Sequence, residues 1–268
     1  MALKILIPVD FSAASEKAGS VAGLIRQQQE TELFMLHVIS PNEHVEDQDE
    51  GEELFADNVL SVRKKFEALR RGFDFSYEIR VGRLTNTIKD YSDEISADLI
   101  IMGTKGASGL NEIISGSEAQ HVARHSKVPV ITVHDQSMPA KLENILLLSD
   151  FENDGFHPAL ELLKELTAGK ARFHLLHILK QDELGRIAEI EYHMEKFAFH
   201  NQIDNFNLHI RQEDKVDEGV YQFTSEHEMD LVCIGTHARK GLGRLIFGSI
   251  AEKLINHCPK PVFTYHLK

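Results

Sequence analysis

"ADLIIMGTKGASGLNEIISGS" (97–117) recurs further along the chain as "MDLVCIGTHARKGLGRLIFGS" (229–249). In each copy an apolar run ends in Gly-Thr, a polar loop follows, and a Gly-Ser pair precedes the next amphipathic stretch. The copies are 132 residues apart. "KVPVITVH" (127–134) and "KPVFTYH" (260–266) keep that offset. Nearer the start, "KILIPVDFS" (4–12) matches "NILLLSDFE" (144–152), and the apolar runs at 32–39 and 171–178 bring His37 onto His177. There Asp10 falls on Asp150 at an offset of 140. Two constant offsets mean a duplicated unit with a shorter middle in the second copy. The expected division is 1–138 and 139–268, with the joint in the Asp, Gln, Ser and Pro cluster near 134–142.

Within the first unit, short runs rich in Ile, Val and Leu alternate with amphipathic stretches. Strands are expected at 3–9, 32–39, 75–81, 98–103 and 128–133. Helices are expected at 13–29, 50–71, 84–96 and 117–125. The long helix carries Leu54, Phe55, Val59, Val62, Phe66 and Leu69 on one stripe. Strictly alternating strands and helices call for a parallel sheet covered on both faces, with right-handed crossovers. The fold class is therefore α/β, two five-stranded doubly wound sandwiches. The acidic run "EHVEDQDEGEE" (43–53) reads as a solvated lead into the long helix.

Composition narrows the functions. Among 268 residues, 42% are hydrophobic, enough for packed cores, and the formal charge is −13. Nucleic acid and anionic lipid surfaces need basic partners, so neither is expected. The two cysteines, Cys233 and Cys258, form no disulfide framework and read as core residues of a protein from a reducing compartment. No signal peptide or span-length apolar run is apparent, so a cytoplasmic protein is expected. The 15 histidines show no zinc spacing. His37 and His177, at matching strand ends, are expected to be partly buried and hydrogen-bonded. No nucleophile–base–orienter set stands out, so no catalytic residue is assigned and any ATP hydrolysis is expected to be slow and incidental.

The glycine stretch allows two readings. Gly103 ends a strand and Gly116-Ser117 precedes a helix, where "SEAQ" (117–120) fits a capping box, as "SIAE" (249–252) does in the copy. A helix start presents free N–H groups and positive dipole to an anion. A glycine turn and a serine cap can equally be structural. Neither G-x-x-x-x-G-K-[ST] nor G-x-G-x-x-G occurs, which disfavours P-loop kinases and dinucleotide dehydrogenases.

The spacing Gly-x2-Gly-x9-Gly-Ser after an apolar strand, with "ILIPVDFS" at the start and "VPVITV" at the end, resembles the universal stress protein family. The resemblance covers nearly the whole chain, twice, as in a tandem-type member. It implies strand order 3-2-1-4-5 in each unit and pairing of the two last strands, 128–133 with 261–265, as an intramolecular pseudo-dimer; a further homodimer is left open. For the nucleotide-binding subset it also implies ATP, with or without magnesium. In the first half Pro8, Val9 and Asp10 would face adenine and ribose, and Val38 would offer backbone contacts to adenine. Met102, Gly103, Lys105 and Gly106 would line ribose and phosphate, and Gly116, Ser117 and Glu118 would meet the outer phosphates. Glu118 departs from the family's usual apolar residue; it would repel phosphate if it pointed inward. In the second half the matching positions are Asp150, Ile178, Ile234, Gly235, His237, Gly248, Ser249 and Ile250. Ala238 replaces the second glycine there, at a cost of roughly 1–2 kcal/mol if the backbone is left-handed. That second site is expected to be weaker or empty. The rival reading is an interaction protein with two vestigial sites.

Overall fold

A computed structural model describes residues 2–40, 48–70, 72, 74–104, 116–137, 140–152, 155–237 and 243–267. The first half runs β1 (Leu3–Pro8), α1 (Ala13–Arg26), β2 (Thr31–Ile39), α2 (Gln48–Arg70), β3 (Ser76–Val81), α3 (Leu84–Ile95), β4 (Leu99–Gly103), α4 (Gly116–His125) and β5 (Val130–Val133). The second runs β6 (Asn144–Leu148), α5 (Pro158–Leu166), β7 (Arg172–Leu179), α6 (Ile187–His200), β8 (Phe206–Gln212), α7 (Val216–Glu226), β9 (Leu231–His237), α8 (Gly243–His257) and β10 (Val262–Leu267). The shorter middle of the second copy is α6, 14 residues against 23 in α2, preceded by a 3-10 turn at Gln181–Arg186.

All ten strands form one sheet in the order β3-β2-β1-β4-β5-β10-β9-β6-β7-β8. Each half has the strand order 3-2-1-4-5, and its pairings are parallel. The halves meet where β5 and β10 pair antiparallel, Ile131 opposite Phe263. This seam is reinforced reciprocally: the Thr132 hydroxyl donates to the Val262 carbonyl at 3.3 Å and the Thr264 hydroxyl to that of Val130 at 3.2 Å. Each half's last strand covers the other's otherwise open edge. The expected pseudo-dimer is thus a continuous sheet. Matched aspartates begin the strands: Asp98 accepts from the Lys4 amide at 2.9 Å, and Asp230 from the Asn144 amide at 2.8 Å.

Strand side chains alternate between two apolar layers. Ile5, Ile7, Met35, Ile131, Leu147 and Phe263 point toward the side of α1, α2, α5 and α6. Leu6, Leu36, Met102, Leu146 and Ile234 point toward α3, α4, α7 and α8. On α2 the expected stripe buries Val62 and Phe66, whereas Leu69 is 42% exposed at the helix end; Leu54 and Phe55 lie outside the residues whose side chains are described. Both cysteines are buried in the core; burial raises both thiols, Cys258 to about 11, so both stay protonated. No helix among the described residues is long and apolar enough to cross a membrane.

The edge of the second half carries a histidine cluster. His174 Nδ1 lies 3.0 Å from His209 Nε2, and the His209 ring sits 5.8 Å from that of His227. Burial, with His174 and His227 nearby, pulls the His209 imidazole down to about 4, and burial lowers His174. Unfolding frees these rings to bind protons near pH 6.5, so the unfolded state binds more protons below that pH. The resulting stability is complete above about pH 6.5 and is lost as pH falls toward 4. After allowance for partial exposure, the His209 share is about 1–2 kcal/mol. Thermal melts of the native chain and His209→Asn at pH 7.5 and 4.5 check this. The variant should lose clearly less stability on acidification; equal losses would refute it.

Candidate functional site

β1 neighbours both β2 and β4, so the strand order reverses beside it, the place where ligands bind in open α/β sheets. Pro8 ends β1 and Val9 follows it, both in the interior. Asp10 follows and folds a tight turn: its Oδ1 accepts from the Ser12 amide at 3.0 Å. Phe11 is held left-handed at φ 62°, and Ser12 caps α1 by accepting from the Ser15 amide at 3.3 Å. The turn recurs at Asp150, which accepts from the Glu152 amide at 3.2 Å, with Phe151 at φ 57°.

Val38 is buried near the end of β2, and Met102 and Gly103 are buried at the end of β4. Gly103 has a structural cause. A Cβ there would stand 2.8 Å from the Ala14 Cβ and 2.9 Å from its carbonyl carbon, so α1 requires a glycine. Thr104, next in the chain, is 1% exposed, and its hydroxyl has no hydrogen-bond partner among the described residues. Its counterpart Thr236 lies 2.9 Å from His266 Nδ1. Gly116 is the first residue of α4, with Ser117 exposed in its first turn. Glu118 is drawn sideways: its Oε2 accepts from the Thr85 hydroxyl at 2.8 Å, at the start of α3. Lys105 and Gly106 lie outside the described residues, as does Ala238 of the copy.

The second half departs from expectation at its helix. The capping box at 249–252 does not start it; α8 begins at Gly243, so Gly248 and Ser249 sit inside the helix. Amides inside a helix are committed to carbonyls four residues back, leaving no free donor row for an anion. Ile178, Ile234 and Gly235 are buried, Ile250 is 6% exposed, and His237 ends β9. Leu148, Asp150, His177, Lys180, Glu183 and Ile250 surround a cleft of about 180 Å³. Its wall also carries Glu152, so three carboxylates face a single lysine among the lining residues. The two histidines differ as well. His37 donates from Nδ1 to the Val9 carbonyl at 2.7 Å, as anticipated. His177 is equally buried, but neither ring nitrogen has a hydrogen bond among the described residues, and its nearest charged group is Glu183 at 3.6 Å. The side-chain contact of Glu118 was beyond sequence reasoning, because it depends on Thr85 of α3, 33 residues away in the chain. No group of three or more His, Cys, Asp or Glu side chains among the described residues could hold a metal ion.

Comparison with known proteins agrees with this architecture. The model of the universal stress protein family matches residues 1–134 and again 141–266. A universal stress protein of Methanocaldococcus jannaschii is 31% identical over 137 residues, 48% of this chain and 81% of that protein. One from Mycolicibacterium smegmatis is 21% identical over 96% of this chain and 95% of its own length. The crystal structure of a universal stress protein from Archaeoglobus fulgidus superposes with a TM-score of 0.71 at 23% identity, covering 98% of both chains. With two matched copies, one sheet and the strand order found in each half, the chain belongs to the universal stress protein family as a tandem member.

Proposed function

We propose that this protein binds ATP in its first half, and that occupancy alters its conformation or choice of partner in a stress response. The supporting observation is the meeting of two elements at the reversal of strand order, the Asp10 turn with the first turn of α1 and the end of β4; α4 is the next helix in the chain. In this reading Pro8, Val9, Asp10 and Val38 hold the nucleoside, and Met102, Gly103, Lys105 and Gly106 line ribose and phosphate. The α4 start at Gly116 and Ser117 meets the outer phosphates with the positive end of the helix dipole. The residues fit such a group: the buried Thr104 hydroxyl has no hydrogen-bond partner among the described residues, and the Glu118 carboxylate accepts from Thr85. Bound magnesium would add charge neutralisation between the phosphates and Glu118. The working division into functional units is 1–138 and 139–268.

The second half reads as vestigial for this purpose. Gly248 and Ser249 are inside α8, and the cleft beside Asp150 carries excess negative charge. Purified protein should release adenine nucleotide on denaturation, near one equivalent per chain. Gly106→Ala should weaken ATP binding about tenfold in calorimetry with magnesium. If no nucleotide is released and calorimetry shows no heat, the proposal fails and the interaction protein with two vestigial sites takes its place.

A further inference from the structure

We propose that the first half carries a second, chemically distinct site, a cavity on the α1–α2 side of the sheet that takes an uncharged apolar small molecule. The cavity measures about 390 Å³, within the range of roughly 300–1,000 Å³ usual for small-molecule pockets. Ile7, Val9 and Met35 form its floor, all at most 7% exposed, and Phe75 closes one wall. The opposite wall is α1, through Gly19, Ser20 and Gly23.

Gly19 is not there for close packing. Glycine within a helix is unfavourable relative to alanine, and a tightly packed helix would justify it by contact. At Gly19 an added Cβ would meet no atom of the described residues within 4 Å, and the same holds at Gly72 on the far rim. Among the described residues nothing fills the space above them.

The second half shows that the fold does not demand this opening. In the sequence register that sets Asp10 over Asp150, the exposed Ser20 corresponds to Leu160 and the half-buried Gly23 to Leu163, both leucines having no exposed surface. The strand pairing that sets Ser76 against Phe34 sets Asn207 against His174, which brings Gly72 onto Ile203, 3% exposed. Two leucines and an isoleucine thus occupy in the copy the positions that the first half leaves small.

The lining chooses the ligand. The Ser15 hydroxyl donates to the Ser12 carbonyl at 3.0 Å and the Ser20 hydroxyl to that of Glu16 at 3.1 Å, so neither is free to donate inward. The charged group among the described lining residues is Glu16, exposed at the mouth. Its carboxylate repels anions, so a fatty-acid carboxylate is excluded and a chain alcohol or neutral aromatic fits. Met35 adds a soft, adaptable surface.

The test uses the full chain and N-phenyl-1-naphthylamine, a neutral apolar fluorophore. Saturable fluorescence enhancement is expected, displaced by 1-decanol and at least tenfold less well by decanoate. Ser20→Leu/Gly23→Leu, which copies the second half, should weaken binding at least tenfold without lowering the melting temperature. Non-saturable fluorescence, equal displacement by decanoate, or unchanged binding in the folded variant would overturn the proposal; closure of the cavity by the protein's own chain would give the first of these. Should the variant fail to fold, the Met35 ε-methyl resonance of the native chain decides. A shift that saturates with decanol supports the site, and no shift refutes it.

Discussion

Replacing Phe263 with alanine should cost about 3–5 kcal/mol and should weaken both halves together. Phe263 lies on β10 with no exposed surface, opposite Ile131 of the first half and beside Cys233 of the second. It belongs to an apolar layer that runs without a break from Ile5 and Phe66 to Leu175 and Phe197. A cavity there removes contacts from both sides of the antiparallel seam, and close-packed surroundings relax only partly into it. The melting temperature should fall on the order of 10 °C for a chain of this size. Calorimetry should show one transition before and after the change. Two resolved transitions, with only the second half's displaced, would mean that the halves fold as independent units and that the seam is a mere contact.

Most of the architecture was legible because it is periodic. The strand runs of β1, β4 and β5 are nearly continuous Ile, Val and Leu, as a doubly covered parallel sheet requires. The duplication supplied an internal check, and the shortened middle of the second copy is visible as α6 set against α2. The site was less legible, since its character rests on contacts between distant segments. Spacing identified Gly103, but not its cause: the approach of α1 to β4 across some 90 residues of chain. Ser249 matched a capping pattern, yet "GRLIF" ahead of it already has helical periodicity and extends α8 back to Gly243. Helix continuation overrode the cap. Glu118 raised a question of charge that only the neighbouring α3 could answer, through Thr85. The cavity over Gly19 left no trace in apolar periodicity, because what defines it is volume absent from α1.

Gly103→Val should be at least as disruptive as the seam change, for the opposite reason. It adds volume where none exists. The would-be Cβ stands 2.8 Å from the Ala14 Cβ, 2.9 Å from the Ala14 carbonyl carbon and 3.0 Å from the Ser15 amide nitrogen. Two of these are backbone atoms of the first turn of α1, fixed by the Ser12 cap, and cannot rotate away as a flexible side chain would. Overpacking costs about 1–3 kcal/mol and sometimes more; a β-branched side chain against backbone belongs at the upper end, about 3 kcal/mol or above. The helix must retreat from β4, carrying Ser12 and therefore the Asp10 turn that Ser12 holds. In the proposed ATP-binding reading, affinity for the nucleotide should accordingly fall along with stability. Gly103→Ala should show a smaller form of the same loss. Adding Ala14→Gly to it should recover part of the stability, since one contact of the three disappears and the backbone contacts persist. Gly185→Ala, where an added Cβ meets nothing among the described residues within 4 Å, serves as the neutral control. Chemical denaturation of the four variants decides the matter: a Gly103→Val protein as stable as the control would show that α1 does not press on β4, and the account of Gly103 as a packing glycine would fall.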